Sequence, residues 1–287
     1  MRDFSKDHRW LSLNTATVRK QGDLAQIIEA CARHGIRAID PWRDQVAAIG
    51  LDRAVRAVKD AGLELSGYCR GGMFPADTAH RHEVRDDNRR CVDEAKALGA
   101  VCVVLVVGGL PQYSRPGSSA SKDIIAARTQ VADGIAETFE YAKSVDMPLA
   151  IEPLHPAYAA DRACVNTTAH ALDICDMLDP AKSGKIGIAL DVYHVWWDPA
   201  LMAQIRRAAK ERLLAFHVCD WMVPTKDILN DRGMMGDGVI DVPSIRAAVE
   251  AEGFAGYSEV EIFSNDWWAK PMDEVLETCI ARHKTVV

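Results

Sequence analysis

The sequence lacks the features that mark membrane proteins, secreted proteins and disulfide scaffolds. Its longest apolar run, Val101 to Val107, is far too short to cross a bilayer, and the opening residues MRDFSKDHRW contain no apolar signal-peptide core. The eight cysteines form no CxxC pair and mostly fall in apolar helix or strand patterns, so we expect buried, reduced thiols. These absences predict a soluble, cytoplasmic protein.

Positive charge is also scarce, and a glycine-rich phosphate loop is missing. The 41 acidic residues outnumber the 34 lysines and arginines, which argues against a nucleic-acid partner because phosphates need a basic face. The segment LSLNTATVRKQGD, at the first predicted strand, has no GxGxxG motif, which argues against a dinucleotide-binding Rossmann fold. We therefore expect a small-molecule substrate, with neither nucleic acid nor a membrane as partner.

What the sequence does contain is a regular alternation of strand-length apolar runs with amphipathic helical segments. The eight predicted strands are Leu11–Thr15, Ala38–Asp40, Leu63–Tyr68, Val101–Val107, Leu149–Glu152, Ile186–Asp191, Leu214–Val218 and Ser258–Ile262. Several of the helical segments close on a glycine, the residue that best tolerates the left-handed position after a helix: Gly35, Gly62, Gly99 and Gly253. The alternation predicts an α/β fold, a (β/α)₈ TIM barrel that forms one domain over residues 1–287.

Charged and imidazole side chains occur at the ends of four successive predicted strands. Glu152 ends the fifth strand, Asp191 the sixth and His217 the seventh, and Glu259 and Glu261 lie on one face of the eighth. In a parallel barrel these ends meet at one mouth, where a bare cluster of carboxylates would repel.

One divalent cation removes that repulsion, so we predict a metal site formed by Glu152, Asp191, His217 and Glu261. Oxygen-rich ligation without thiolate favours Mn²⁺, with Mg²⁺, Co²⁺ and Zn²⁺ as alternatives. Taken singly, these residues also fit a salt bridge, a helix cap or a core histidine. Glu259 is the alternative to Glu261, but the strand register places it one layer deeper in the barrel.

The segments IEP, DVYH, HVCD followed by DRGMMGDGVID, and VEIF resemble those of a known family. This is the sugar phosphate isomerase/epimerase group of xylose-isomerase-like barrels, which includes ketose 3-epimerases and inosose isomerases or dehydratases. The resemblance implies that the four predicted ligands bind the metal and that Glu152 and Glu261 also exchange protons with the substrate. It further implies that His194 and Arg232 contact substrate oxygens.

Aromatic residues and a further histidine complete the predicted substrate site. Tryptophans follow the predicted ligands in sequence, and with His155 we assign Trp196 and Trp267 to substrate binding. The remaining tryptophans of this group are Trp42, Trp197, Trp221 and Trp268. Packing in the core, in a lid or in a subunit interface is the alternative for all of these rings.

These features predict a metal-dependent isomerase or epimerase that moves a proton next to a metal-bound carbonyl of a sugar or cyclic polyol ketone through an enediolate. The alternative is a lyase or dehydratase that expels a β-substituent from an inosose or 3-oxo-glycoside, with a small partner subunit. An abasic-site endonuclease fits poorly because such enzymes use many histidines and basic loops. A non-catalytic sugar-binding protein would not need the metal. We also expect a homo-oligomer.

Overall fold

Nine strand segments pair in parallel in one sheet, and two more form a short antiparallel pair, in the computed structural model, which describes residues 2–287. In chain order the strands are β1 (Leu11–Asn14), β2 (Ala38–Asp40), β3 (Glu64–Leu65), β4 (Tyr68–Gly72), β5 (Val103–Val106), β6 (Leu149–Ile151), β7 (Ile186–Asp191), β8 (Leu213–Val218), β9 (Asp220–Trp221), β10 (Arg232–Gly233) and β11 (Ser258–Val260). The sheet order β3-β2-β1-β11-β8-β7-β6-β5-β4 follows the chain around a barrel. The predicted (β/α)₈ fold is confirmed.

The third strand of the barrel is divided into β3 and β4, which are the two ends of the sheet order. Because both are parts of one barrel strand, the barrel closes between them. β3 pairs with β2, β4 pairs with β5, and bridges from Leu65 to Ala100 and from Trp42 to Cys69 join each half to its other neighbour. The prediction that this strand ends at Tyr68 is wrong, because β4 continues to Gly72. At the break a side chain replaces part of the backbone ladder: the Cys69 amide donates to Asp40 Oδ1 at 2.9 Å.

Helices connect the strands and cover the outside of the barrel. They are α1 (Leu24–Arg33), α2 (Arg43–Ile49), α3 (Leu51–Ala61), α4 (Arg81–Leu98), α5 (Pro111–Ser114), α6 (Ile124–Ser144), α7 (Thr168–Leu178), α8 (Val192–Val195), α9 (Leu201–Arg212), α10 (Val242–Ala251), α11 (Asn265–Trp268) and α12 (Met272–Thr285), with 3₁₀ turns at Thr15–Val18 and Pro156–Tyr158. Local signals set their ends. Asp23 and Gln26 form a capping box at the start of α1, and Gly62 and Gly99 adopt the left-handed conformation after α3 and α4. None of the helices within residues 2–287 has both the length and the apolar composition that crossing a bilayer requires.

Small side chains form a separate buried cluster within the barrel. They are Cys69, Cys102, Val104, Ala150, Ala189 and Ala215, while larger aliphatic residues belong to the main core. All eight cysteines are buried and free, as predicted.

A buried arginine lies at the N-terminal end of the barrel, where α9 meets β8. Arg212, the last residue of α9, is 0% exposed, and its guanidinium donates to Asp179 Oδ2 at 2.9 Å, to the Ile186 carbonyl at 2.9 Å and to the Cys175 carbonyl at 3.2 Å. These bonds join α7, β7 and α9. The C-terminal ends of the strands, at the opposite end of the barrel, have a different arrangement.

Candidate metal centre

Strand register aligns the predicted ligands at the C-terminal end of the barrel. Asp191 of β7 pairs with His217 of β8, which in turn pairs with Glu259 of β11. Glu152 comes directly after β6, and Glu261 comes directly after β11. Neighbouring strands of a parallel barrel end at one face, so residues far apart in sequence become neighbours here.

The structure brings the four predicted ligands together. Glu152, Asp191, His217 and Glu261 are all buried, and each offers one ligand atom within 4.8 Å of the others. His217 Nδ1 lies 3.3 Å from Glu152 Oε1 and 3.4 Å from Glu261 Oε2. Three carboxylates and one imidazole nitrogen at this spacing can hold one divalent cation.

Glu259 lies on the opposite side of the His217 ring. Its Oε1 is 3.4 Å from His217 Nε2, and its two oxygens accept hydrogen bonds from Asn14 Nδ2 (2.9 Å) and Ser66 Oγ (2.7 Å). A carboxylate behind a metal-binding imidazole orients the ring and keeps its proton on the distant nitrogen. Glu261 therefore shares the space of the other three ligands, and Glu259 lies in the layer beneath them.

Asp40 is a member of this deeper layer that the sequence analysis did not select. It forms a second buried group with His217 and Glu259. Burial and the neighbouring Glu259 raise the pKa of the Asp40 carboxyl well above its ordinary value. The signal was available, because Asp40 ends the second predicted strand in the same way that Asp191 ends the sixth.

The two glutamates with predicted catalytic roles have opposite electrostatic environments. Burial raises the pKa of Glu152 to about 7, against the opposing effect of His217. Burial also acts on Glu261, but the charges of Arg232 and His217 outweigh it and lower the pKa of Glu261 to about 2. The same cluster thus contains one carboxyl that holds a proton easily and one that stays ionised.

Arg232 and His194 lie directly beside the cluster. Arg232 Nη1 donates to Asp191 Oδ2 at 2.8 Å and to Glu261 Oε2 at 3.1 Å, and its guanidinium lies over the Tyr193 ring. The His194 ring is 3.1 Å from Arg232 Nη2, and burial lowers the pKa of His194 to about 3, so this imidazole is neutral. Both residues lie between the cluster and the adjoining cavity that they line.

A cavity of about 50 Å³ opens onto the cluster. Glu152, Glu261, His194 and Arg232 form its deep wall. The remaining lining residues are Trp42, Arg70, Val106, Leu154, Tyr158, Arg162, Leu229 and Phe263. A second, larger recess of about 720 Å³ shares Trp42 and Arg70 with it, so the two cavities adjoin.

Two tyrosines contact the loop that contributes Leu229 to this cavity. The phenol groups of Tyr158 and Tyr193 both donate to the carbonyl oxygen of Ile228, at 2.6 and 2.7 Å. One phenol comes from the segment after β6 and the other from α8. The loop between β9 and β10 is thereby tied to the wall of the site.

The predicted aromatic contacts are distributed differently from the predicted ligands. Trp42 lines the cavity at the cluster, whereas Trp196 packs against Trp221 with 5.7 Å between ring centroids and lies outside this lining. The His155 ring also stacks on Trp221, at 5.0 Å, and its backbone amide faces His194. Trp267 lines a separate cavity near Met222 and Lys270.

Trp197 and Trp268 use their indole nitrogens within the fold. Trp197 donates to the His194 carbonyl and Trp268 to the Ala16 carbonyl, both at 2.8 Å. The structure thus does not bring the tryptophans of the sequence analysis together as one wall.

Unpartnered buried atoms test whether the cluster fits a metal ion. Glu152 Oε1 and both ring nitrogens of His217 are buried without a hydrogen-bond partner within residues 2–287. Buried polar atoms are normally paired, since leaving one unpaired costs roughly 1–3 kcal/mol. A divalent cation between Glu152 Oε1 and His217 Nδ1 would satisfy these two atoms and neutralise the adjacent carboxylates, while His217 Nε2 faces Glu259. The residues present therefore fit a metal ion.

Comparisons with known proteins agree with this architecture. A family model described as "Xylose isomerase-like TIM barrel" matches residues 28–281. Inosose isomerase from Bacillus licheniformis is 23% identical over 292 residues, which cover 96% of each chain.

Two solved structures extend the comparison. A crystal structure of a protein from Sinorhizobium meliloti 1021 is 57% identical, covers 96% of this chain and 98% of its own, and has a TM-score of 0.91. The IOLI protein, whose structure contains a zinc atom, shares the fold at 20% identity, 94% coverage of each chain and a TM-score of 0.78. The chain belongs to the xylose isomerase-like TIM barrel family.

Proposed function

We propose that this protein is a divalent-metal-dependent isomerase or epimerase of a sugar or cyclic polyol ketone. The observation that carries the proposal is the buried cluster of Glu152, Asp191, His217 and Glu261, with two glutamates that differ in their affinity for a proton. The inosose isomerase relatives support the same reaction class.

Glu152, Asp191, His217 and Glu261 would hold the cation, and Mn²⁺ suits their three carboxylates and single imidazole. When bound, the cation supplies Lewis-acid polarisation of a substrate carbonyl, which acidifies the neighbouring C–H. Glu259, behind the ring, would keep His217 in the tautomer that presents Nδ1 to the cluster.

Side chains of the protein would carry out the proton transfers. One of the pair Glu152 and Glu261 would remove the proton from the carbon beside the carbonyl, and the other would return a proton at the opposite face or at the adjacent carbon. Return at the opposite face gives an epimer, and return at the adjacent carbon gives an isomer. Arg232 and His194 would orient substrate oxygens, because both line the cavity next to the two glutamates.

The test combines metal analysis with isotope incorporation. Purified protein is loaded in turn with Mn²⁺, Co²⁺, Mg²⁺ and Zn²⁺, and metal content is measured after gel filtration. The Mn²⁺ form is then incubated in D₂O with ketoses, inososes and 3-oxo-glycosides. We expect about one retained ion and a deuterated product of unchanged composition. Failure to retain any of the four metals would overturn the proposed site.

A lyase that acts through the same proton removal is the second candidate. The observation that favours it is the recess of about 720 Å³ beside the small cavity, which can accommodate a substituent larger than a monosaccharide. The same D₂O experiment separates the two reactions, since a lyase releases water or an aglycone and an isomerase does not. Product mass spectrometry therefore decides between them.

A further inference from the structure

Two arginines at the mouth of the site lack the partners that other arginines in the same region have. Arg19, Arg43 and Arg115 line the larger recess, and each forms a salt bridge with a carboxylate. Arg70 and Arg162 are also partly buried, yet neither guanidinium has a hydrogen-bond acceptor or a carboxylate partner within residues 2–287. Every other partly or fully buried arginine in that range donates a hydrogen bond to the protein, which makes this pair an exception.

Both of these arginines face the candidate metal centre. They line the small cavity together with Glu152 and Glu261, and Arg70 also lines the larger recess. Arg162 lies over the ring of Tyr158, with 5.8 Å to the ring centroid, so an aromatic face supports one side of this guanidinium. The two groups reach the same space from β4 and from the segment after β6.

The balance of charge leaves this pair uncompensated. One divalent cation together with Arg232 formally neutralises the three carboxylates of the four-residue cluster, and Glu259 lies behind the His217 ring. Burial and the nearby Arg162 lower the pKa of Arg70, which places the two positive groups within electrostatic reach of each other. Two like charges at a partly desolvated mouth repel unless an anion binds between them.

We propose that Arg70 and Arg162 bind an anionic group of the substrate, a carboxylate or a phosphate, while the carbonyl end of the same molecule reaches the four-residue cluster. This inference rests on the proposed function and narrows its substrate class to acidic or phosphorylated polyhydroxy ketones. Arginine suits this role because its planar fork donates two parallel hydrogen bonds to either anion.

The test uses three ketoses that differ only at carbon 6: D-fructose, D-fructuronate and D-fructose 6-phosphate. Their dissociation constants are measured calorimetrically on the Mn²⁺-loaded wild type and on Arg70→Gln, Arg162→Gln and Arg70→Lys variants. Arg206→Gln is the matched control, since Arg206 is an exposed arginine of α9 outside both cavities. Circular dichroism verifies that each variant is folded.

We expect at least one anionic ketose to bind the wild type about tenfold or more tightly than D-fructose, which is the effect of one charge-assisted hydrogen bond. Each Gln variant should lose about tenfold in affinity for that anion and keep its affinity for D-fructose, and Arg70→Lys should recover part of the loss. The preferred anion identifies carboxylate or phosphate as the natural group. Equal affinity of the wild type for all three ketoses, or equal loss for neutral and anionic ketoses in the variants, would overturn the inference.

A second probe keeps this test separate from the proposed reaction. Inorganic phosphate is titrated into metal-free protein, and the melting temperature is followed. An increase in the wild type that both Gln variants lose supports the anion site even if none of the ketoses binds or exchanges deuterium. The absence of any effect of phosphate on the wild type, combined with no binding of the anionic ketoses, would refute it. Deuterium exchange into D-fructose without anion preference would leave the proposed function standing and remove the anion site alone.

Discussion

The buried charged groups at the two ends of the barrel differ in their hydrogen-bond partners. At the N-terminal end, Arg212 is surrounded by acceptors from α7 and β7, and its guanidinium connects three elements of the fold. At the C-terminal end, Glu152 Oε1 and the His217 nitrogens have no hydrogen-bond partner within residues 2–287, and Arg70 and Arg162 face a cavity. The protein supplies most of the acceptors of Arg212 itself, whereas the open atoms at the C-terminal end are the ones that we propose to bind a metal ion and an anion.

The largest expected effect separates the two glutamates of β11 and its extension. Glu261→Gln should reduce activity by ~10³-fold or more, because this residue is proposed both to hold the metal and to transfer a proton. Glu259→Gln should act mainly on stability, since Glu259 accepts bonds from Asn14 and Ser66 beneath the ligands. Deuterium exchange rates and urea unfolding curves of both variants decide this. The reverse pattern would exchange the roles of the two residues.

Removing the arginine at the N-terminal end should cost stability and leave metal binding unchanged. Arg212→Leu leaves Asp179 buried without its partner, and breaking such a pair costs about 3–5 kcal/mol in the free energy of unfolding. Arg206→Leu, on the exposed side of the same helix, is the control and should change stability by less than about 0.5 kcal/mol. Metal content of the folded Arg212→Leu protein should match the wild type. A loss of metal in this variant would contradict the division between the two ends.

Metal addition should stabilise the protein through the C-terminal end alone. At a free Mn²⁺ concentration about 100-fold above the dissociation constant, the free energy of unfolding should rise by about 2.7 kcal/mol. His217→Ala should abolish the rise, because this substitution removes the imidazole ligand from the cluster. Thermal unfolding with and without Mn²⁺ measures the difference. An equal rise in wild type and His217→Ala would place the ion elsewhere.

The smallest expected effect concerns stability as a function of pH. The contributions of the two ends of the barrel to the free energy of unfolding should change with pH in opposite directions. Burial raises the pKa of Glu152 from its ordinary 4.5 to about 7, so the stability that proton uptake gives the metal-free protein is present below pH 4.5 and lost as the pH rises to about 7. Asp176 behaves in the opposite way, because Arg207 and Arg212 outweigh burial and lower its pKa, so its contribution is lost as the pH falls.

The affinity for a metal ion should depend on the protonation of Glu152. Below pH 7 the cation must displace the proton of Glu152, so apparent Mn²⁺ affinity should rise by up to about tenfold per pH unit and level off near pH 7. Calorimetric titrations between pH 5.5 and 8 provide the measurement. An affinity that does not change over this range would show that Glu152 carries no proton in the metal-free site.

The sequence predicts that the four residues of the cluster lie together, because the C-terminal ends of parallel barrel strands meet at one face. A charged residue that ends a continuous apolar strand, such as Asp191, is expected to lie at the barrel mouth. Asp40 obeys the same rule, but its strand is short and its partners come from distant β11, so its membership of the deeper layer required the fold. The barrel fold, which is confirmed, can be predicted from the alternation of apolar strands and amphipathic helices. The two layers within the site depend on the register between neighbouring strands, which the sequence does not specify.

The positions that sequence analysis did not find lie where pattern fails. The YCRGG run of β4 combines a charge with two glycines, which are poor strand formers, so the sequence predicts that the strand ends before Arg70. Trp196 and Trp267 are close to the predicted ligands in sequence, but neither ring lines the cavity at the cluster, and their substrate contacts stay a prediction. Proximity along the chain does not specify the direction of a side chain in a loop.

The single carbonyl of Ile228 that receives both tyrosine phenols bears on how this loop is attached. Moving Ile228 away from the site breaks both hydrogen bonds, because Tyr158 and Tyr193 donate to the same oxygen atom. The segments that follow β6 and β7 therefore share one point of attachment to this loop. Phenylalanine in place of either tyrosine would remove one of these two bonds without altering any proposed metal ligand, so the attachment of this loop can change in evolution independently of the metal centre.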